Sequence, residues 1–520
     1  MKFSLENNQK GWIFAVLVAA LVSFTFINAY PISILDEAKN AEAAREMWAS
    51  GDYWVPKFNG ELRTDKPPLH YYFMLLGFKL FGTTVLGTRF FSAVMGFITL
   101  LATFGFARKH LGKAVAQTTM VILVGAFFFM QEFHLAVPDP YLIAFVTLGL
   151  FSFYHFYATK KHLYLVLFYF FLALGALSKG PVAIALPGLS VGLFLVLQKE
   201  LKNTFRYYPV LGLLGIAVMV VPWFWQVHLK TDGLWTQGFF FDHNISRFSA
   251  PMEGHGGSFL VTWGFVLLGL LPFSFFIPQA FRHAWRERTN TALVFAACVA
   301  GVFILFFSIA STKLPNYTMP CYAFLALLLG SFFTKKMTVG FTKWSWVSMI
   351  LLALIGVALP VAAFIGLGIE KALQPYQYLA FGLVPTAVGS LFGLLIYMRK
   401  KIAAFLLTMA FSWGILLFVL HGFIYPQLTN ALPTTVVDKA LPKNAKVVVY
   451  KRMDAAFPFA FQQTFNVIDN LNDAANLHGF YLLTNHPEGQ DLDEFENIQQ
   501  VTSQKALFEN HTTVLYRIEE

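Results

Sequence analysis

The chain has 520 residues, 57% of them hydrophobic and only 13% charged, with a formal net charge of +10 and a mean hydropathy of +0.58. Average soluble domains carry roughly 25% charged residues, so this composition excludes an ordinary soluble globule, whose apolar surface would stay exposed to water without lipid. The excess positive charge falls in short clusters between apolar runs rather than in one stripe, which excludes a nucleic-acid surface and reads instead as a membrane topology signal.

Lys2 and Lys10 precede an apolar stretch from Trp12 to about Leu35. It is too long for the apolar part of a cleaved signal peptide and lacks a small-residue cleavage site, so it reads as a retained anchor and the first span. Residues 35–83 follow as a long outer loop. It opens on Asp36-Glu37, continues through a helix-compatible stretch, Ala38–Ala49, and reaches Thr64-Asp65-Lys66-Pro67-Pro68. The apolar run Leu69–Phe81 falls short of the ~20 residues a crossing needs, and predicts a helix lying along the outer membrane surface.

Further spans are expected near 84–106, 114–132, 140–158, 163–178, 180–198, 207–228, 258–281, 291–311, 317–333, 345–367, 377–397 and 402–424. With 12–34 they make about thirteen transmembrane helices. The basic clusters Arg108-Lys109 with Lys113, Lys160-Lys161, Lys199 with Lys202 and Arg206, Arg282 with Arg286 and Arg288, Lys335-Lys336, and Arg399-Lys400-Lys401 then all fall on the side of the N-terminus. By the positive-inside rule that side is the cytoplasm. Residues 1–428 are expected to form a transmembrane domain, with the loop 35–83 and a large loop 229–257 outside. Residues 429–520, richer in charge and in Asn and Gln, read as a small soluble α/β domain on the outer side, with strand-like runs at Lys446–Tyr450, Phe465–Ile468, Phe480–Thr484 and Thr513–Ile518. Cys298 and Cys321 lie in or beside apolar runs, in neither a CxxC nor a CxxH pattern, so no disulfide framework or structural zinc is expected.

Polar groups beside a bilayer cost several kcal/mol unless paired, and so mark function. Here they gather on the outer face: Asp36 and Glu37, Asp65 and Lys66, Asp139 between two prolines, His243, Arg247, Glu253 and His255, then Lys313 and Tyr317. Taken singly, each has a bland reading as a stop signal, a snorkelling cation or a turn former. Together, cations suited to a phosphate at the interface and a carboxylate suited to a general base suggest group transfer from a phospholipid-type donor. No Walker loop or GxGxxG is visible, so neither nucleotide nor nucleic acid is expected as a partner.

The acidic pair closing the first span, then Asp65-Lys66-Pro67-Pro68-Leu69-His70-Tyr71, Ser178-Lys179-Gly180-Pro181, His243-Asn244-Ile245-Ser246-Arg247 and Lys313-Leu314-Pro315-Asn316-Tyr317, stand in the order of a known family. The chain resembles the polytopic GT-C glycosyltransferases, on the branch of the lipid A aminoarabinose transferases and protein mannosyltransferases. The resemblance covers roughly residues 10–425. It implies an inverting enzyme of a bacterial inner membrane, with its active site and C-terminal domain in the periplasm. Such an enzyme moves a sugar from a polyprenyl-phosphate donor such as undecaprenyl phosphate to lipid A, a related glycolipid or a protein. The first-loop acid, Asp36 with Glu37 beside it, would be catalytic, and Asp139 would assist. Lys66, Arg247 and Tyr317 would cradle the carrier phosphate, with Lys313, Asp65 and Tyr71 as neighbouring substrate contacts. No cofactor is required by this reading; a divalent metal such as zinc, on Asp65, His243 and His255, is what some relatives would add. Two departures are visible: Lys39 stands where many relatives carry Arg, and Asp65 where aminoarabinose transferases usually carry Glu. Both leave the sugar open. A transporter or flippase of lipid-linked sugars is the rival class, disfavoured because the span centres are almost free of charge.

Overall fold

A backbone in lipid must satisfy its own hydrogen bonds, so the apolar runs become helices. The computed structural model describes residues 8–246, 256–341, 343–470, 479–487, 489, 492, 498–507 and 509–518. Among these, nine helices are long and apolar enough to cross a membrane, or ten if a pair bent by 119° counts as one. Three shorter apolar helices, Lys10–Phe24, Lys113–Gly125 and Val182–Leu197, would also have to cross to reach the thirteen spans expected. The bent pair occupies the region where a single span is expected, near 258–281, and is not one continuous helix. Phe259–Gly269 and Ser274–Arg286 meet at a break around Pro272, where proline supplies no amide proton and restrains the residue before it. The span expected at 114–132 also breaks, at Ala126, into Lys113–Gly125 and Phe127–Glu132.

Two helices, called outer after the side the sequence predicts for them, carry the loop 35–83. Leu35–Ser50 starts on Asp36 and Glu37, acids in the first turn where the helix dipole favours them. Its alanines 38, 41 and 44 let it pack closely on Tyr71, Met74 and Phe78 of Leu69–Phe81. That second helix has the thirteen residues expected of an interfacial element. It turns back at Gly82 (φ +73°) onto the long helix Val85–His110, and a Cβ on Gly77 would lie 2.0 Å from the Gly87 carbonyl oxygen. Between the two outer helices, β1 (Lys57–Phe58) and β2 (Glu61–Leu62) form a hairpin around Asn59 and Gly60, both at positive φ, the conformation a two-residue hairpin turn requires.

The C-terminal part holds β3 (Val447–Tyr450), β4 (Val467–Ile468), β5 (Tyr481–His486), β6 (Ile498–Lys505) and β7 (Thr512–Ile518). They form one sheet in the order β4-β3-β5-β7-β6. β3 is parallel to β4 and β5, and β7 antiparallel to β5 and β6. Side chains alternate along the strands: Val448, Tyr450, Leu482 and Tyr516 pack on one face, Val449, Leu483 and Leu515 on the other against Phe457 and Phe465. This unit is fastened to the first loop. Asn59 donates to the Phe465 carbonyl at 3.0 Å and accepts from the Phe465 amide at 2.7 Å, and Ala455, Ala456 and Phe459 join the core between the two outer helices.

The deepest polar contact is an ion pair. Arg89 Nε and Nη2 donate to Glu37 Oε1 and Oε2 at 2.7 and 2.8 Å, with neither side chain exposed. Arg89 Nη1 donates to the carbonyls of Ile27 and Tyr30, the guanidinium lies over the Tyr30 ring, and Glu37 Oε1 accepts from the Ala136 amide at 2.8 Å. The end of the first helix, the first loop, the helix Val85–His110 and the second outer loop thus meet on one pair of charges. Removing one partner strands the other in low dielectric, at a cost of about 3–5 kcal/mol. Arg89→Met is therefore expected to lower the unfolding temperature in detergent sharply. Adding Glu37→Leu is expected to return much of the loss, and a single variant that melts like the parent chain would disprove the pinning role.

Candidate active site

The segment between the two outer helices carries the first cluster. Arg63, almost fully buried, donates from Nε to the Tyr71 hydroxyl at 3.1 Å and from Nη2 to Asn40 Oδ1 at 3.3 Å; its Nη2 also lies 3.1 Å from Asp65 Oδ2. Asn40 sits one helical turn after Asp36 and donates to the Asp36 carbonyl at 2.8 Å. Its Oδ1 also accepts from the Tyr71 hydroxyl and from His70 Nε2, each at 3.3 Å. Asp65 Oδ1 meets His243 Nε2 at 2.9 Å. The helix that brings His243 there approaches closely at Gly238, where a Cβ would lie 2.7 Å from Thr64 Oγ1. Trp235 locks the same segment by donating from Nε1 to the Arg63 carbonyl at 2.8 Å.

Electrostatics separate the titrating groups. Burial works to raise the Asp65 carboxyl, but the His243 hydrogen bond and the charges of Arg63 and Lys66 outweigh it and hold the group well below the usual carboxylate range. Burial, reinforced by Arg63 and Lys66, pushes the His70 imidazole well below its ordinary 6.5, so it stays neutral.

The second cluster lies deeper. Asp139, between Pro138 and Pro140, begins its helix and forms a buried ion pair with Lys179. The Lys179 ammonium sits 5.2 Å from the centre of the Tyr317 ring. Glu132 stands among these groups, with Asp139, Lys179, Asn316 and Asp36 as its neighbours. The clusters adjoin, because Lys179 is also felt by His70 and Asp36 by Arg63 and Tyr71.

Asp36 differs from every other acid here. It is exposed, and among the described residues its carboxylate makes no ion pair or hydrogen bond. Beside it, Ile34 and Leu35 line a cavity of about 400 Å³, closed by Gln131, Tyr425 and, from the C-terminal part, Leu507 and Glu509.

The structure thus brings Asp36, Asp65, Lys66, Tyr71, Asp139, His243 and Tyr317 to one place, and it reassigns two expected residues. Glu37, expected beside Asp36 in catalysis, has both oxygens committed to Arg89 and the Ala136 amide inside the protein. Lys313, expected at the phosphate, points its ammonium onto the carbonyls of Phe307, Ser308 and Ala310 and caps the helix Thr291–Ile309. Arg247 and His255 lie outside the described residues. Asp65 and His243 are the two expected metal ligands brought together, but Arg63 already neutralises that carboxylate. Among the described residues no group of three His, Cys, Asp or Glu side chains is arranged to hold a metal ion, fewer than the three protein ligands of catalytic zinc sites. Arg63, Asn40 and Glu132 were not anticipated. The helical spacing from Asp36 to Asn40 was the available signal for one of them.

A family model described as dolichyl-phosphate-mannose-protein mannosyltransferase matches residues 65–225. An undecaprenyl phosphate-alpha-4-amino-4-deoxy-L-arabinose arabinosyl transferase of Edwardsiella ictaluri is 31% identical over 331 residues, 62% of this chain. An uncharacterized protein of Aquifex aeolicus is 30% identical over 325 residues, also 62% of this chain. The matches take in 59% and 64% of those relatives, less than two thirds of their length. The crystal structure of ArnT from Cupriavidus metallidurans bound to undecaprenyl phosphate superposes with a TM-score of 0.81 over 98% of both chains at 20% identity, which establishes a shared GT-C fold.

Because His70 is held neutral when folded, the unfolded chain takes up a proton first as pH falls, and stability is lost below about pH 6.5. The parent chain is expected to lose more stability than His70→Asn between about pH 7.5 and about pH 5.5. Melting curves in detergent that run parallel for the two proteins would exclude this contribution.

Proposed function

We propose that the chain is a GT-C glycosyltransferase like the aminoarabinose transferases and mannosyltransferases it resembles, and that it transfers a sugar with inversion from a polyprenyl-phosphate donor to lipid A or a related glycolipid. The observation that carries the proposal is the free, exposed Asp36 carboxylate at the edge of a cation-rich cleft. Undecaprenyl phosphate is the carrier proposed, since relatives are named for it. The membrane proposed is a bacterial inner membrane, with the N-terminus in the cytoplasm and the active site and sheet unit in the periplasm.

In this mechanism the acceptor oxygen attacks the anomeric carbon as the bond from that carbon to the carrier phosphate oxygen breaks. The leaving phosphate keeps the electron pair. An acceptor hydroxyl gives its proton to Asp36; a phosphate acceptor, already deprotonated, is oriented by it. Negative charge grows on the departing phosphate, where Lys66 and the buried Arg63 stabilise it more strongly than they would in water. The Asp139–Lys179 pair, under Tyr317, faces the sugar. The neutral His70 and the Asp65–His243 contact hold Lys66 and Arg63 in register. The cavity between Leu35, Tyr425 and Leu507 offers apolar space for the acceptor next to Asp36.

Purified protein supplied with a panel of polyprenyl-phosphate sugars and lipid A is expected to yield a lipid A product one sugar heavier by mass spectrometry. Asp36→Asn is expected to reduce the rate by about 10²–10⁴-fold without changing the melting curve, and Lys66→Met to raise the donor KM as well as lower kcat. Transfer to a protein acceptor alone would move the enzyme to the mannosyltransferase side. No donor consumption by folded protein would sink the enzyme reading, and full activity of Asp36→Asn would sink the catalytic assignment.

A further inference from the structure

The other end of the bundle holds a second cavity that the proposed chemistry does not use. It has a volume of about 240 Å³ and is lined by Gly11, Phe14, Phe104, Met337, Leu407 and their neighbours. Phe104 stands fifteen residues beyond Arg89 on the same helix, roughly 22 Å along its axis, so this cavity is separate from the Asp36 cleft. Apart from Gln117 and Thr118 its walls are apolar or glycine, and the Thr118 hydroxyl is already bonded to the Ala114 carbonyl. Phe14, Met337 and Leu407 are each more than a third exposed at its mouth, where an interior core would have closed.

Among the described residues, the charged positions next to the lining are basic. Lys10, Lys113, Lys336 and Lys401 stand within two residues of the lining positions Gly11, Ala114, Met337 and Ala403. The Arg108 guanidinium lies 3.3 Å from the place a Cβ would take on Gly11. No Asp or Glu lines the cavity; Glu287 pairs with Lys335, the residue before Lys336. Ala114 and Ala403 also lie in the first turns of Lys113–Gly125 and Ile402–Val419, neither of which is capped by a side chain, so their positive dipole ends face the same rim.

From this combination we infer that the cavity binds an anionic glycerophospholipid, with an acyl chain between the helices and the phosphate at the basic rim. An apolar slot alone would accept any lipid or detergent tail. A ring of cations at the mouth of a cleft between helices selects a negative headgroup. The lipid would tie Lys10–Phe24 to Lys113–Gly125 and Ile402–Val419, and so stabilise the bundle without touching the site of transfer.

The full chain, purified in detergent, is titrated with phosphatidylglycerol, phosphatidylethanolamine and undecaprenyl phosphate, with bound lipid counted by native mass spectrometry and stability followed by melting. Phosphatidylglycerol is expected to bind preferentially and raise the melting temperature. The double variant Lys113→Gln/Lys401→Gln is expected to weaken that binding about thirty-fold, as two surface cations near an anionic headgroup would. Both lysines are exposed, so the fold is spared. Ala403→Trp, also at an exposed position, fills the cavity and is expected to block the lipid even if the charge variant fails to fold. Equal uptake of phosphatidylethanolamine, unchanged binding by both variants, or displacement of phosphatidylglycerol by undecaprenyl phosphate would each overturn the inference.

Discussion

Arg89 and Glu37 hold the outer half of this protein together. An isolated charge in a low-dielectric interior costs far more than one hydrogen bond returns, so each of these two groups survives only because the other is there. Their pairing is two-pronged, and the remaining lone pairs and protons are used as well, on the Ile27 and Tyr30 carbonyls and the Ala136 amide. Those contacts belong to two further stretches of chain, the segment after the first helix and the second loop. One residue before Glu37 stands Asp36; three residues after Ala136 stands Asp139. A scaffold contact therefore sets the spacing between the two acids to which the proposed mechanism gives roles.

The same rule governs the rest of the site. Asp65 is held by Arg63 and His243, Asp139 by Lys179, and the Arg63 guanidinium is spread over Asn40, Tyr71 and Asp65. Such mutual neutralisation lets a dense set of charges sit near lipid. It also fixes their geometry, because a charge that has given up water cannot wander from its partner without a large loss. The helix Leu35–Ser50 is thin, with alanines at the contact, and the loop after it is locked by Trp235 and Asn59. Rigid elements and paired charges together produce a pre-organised cleft.

Much of this was legible in the sequence. The length of Leu69–Phe81 argued for a helix too short to cross, and the structure gives a helix over those residues. The motif residues Asp36, Asp65, Lys66, Asp139, His243 and Tyr317 converge as their order suggested. What could not be read is which acid pairs with which base. Glu37 and Asp36 are neighbours of the same type, and only the fold shows that a helix turns one inward to Arg89, fifty-two positions away, and the other outward. Lys313 was misread for the same reason: a lysine beside a span end serves equally as a ligand or as a cap on its own helix. The break at Pro272 was hidden because apolar residues continue on both sides of it. Strand β6 escaped because Ile498–Lys505 is a polar edge strand, its side chains mostly exposed beyond Ile498, and an edge strand needs no apolar alternation.

Asp36 stands out by what surrounds it rather than by its own environment. Glu37, Asp65 and Asp139 each have a cation within hydrogen-bonding reach, while Asp36 has Arg63 near enough to feel but not to bond. A carboxylate tied to arginine is a poor base, because its lone pairs are occupied and its proton affinity suppressed. One that is exposed and unbonded can still orient and deprotonate an incoming oxygen. Placing it a residue away from an acid held at both oxygens by Arg89 reconciles two demands of the proposed reaction. The base must be free to accept a proton, yet its backbone must not move relative to the cations that take up the leaving charge. The helix Leu35–Ser50 meets both demands in consecutive residues, Asp36 facing the cleft and Glu37 anchoring it.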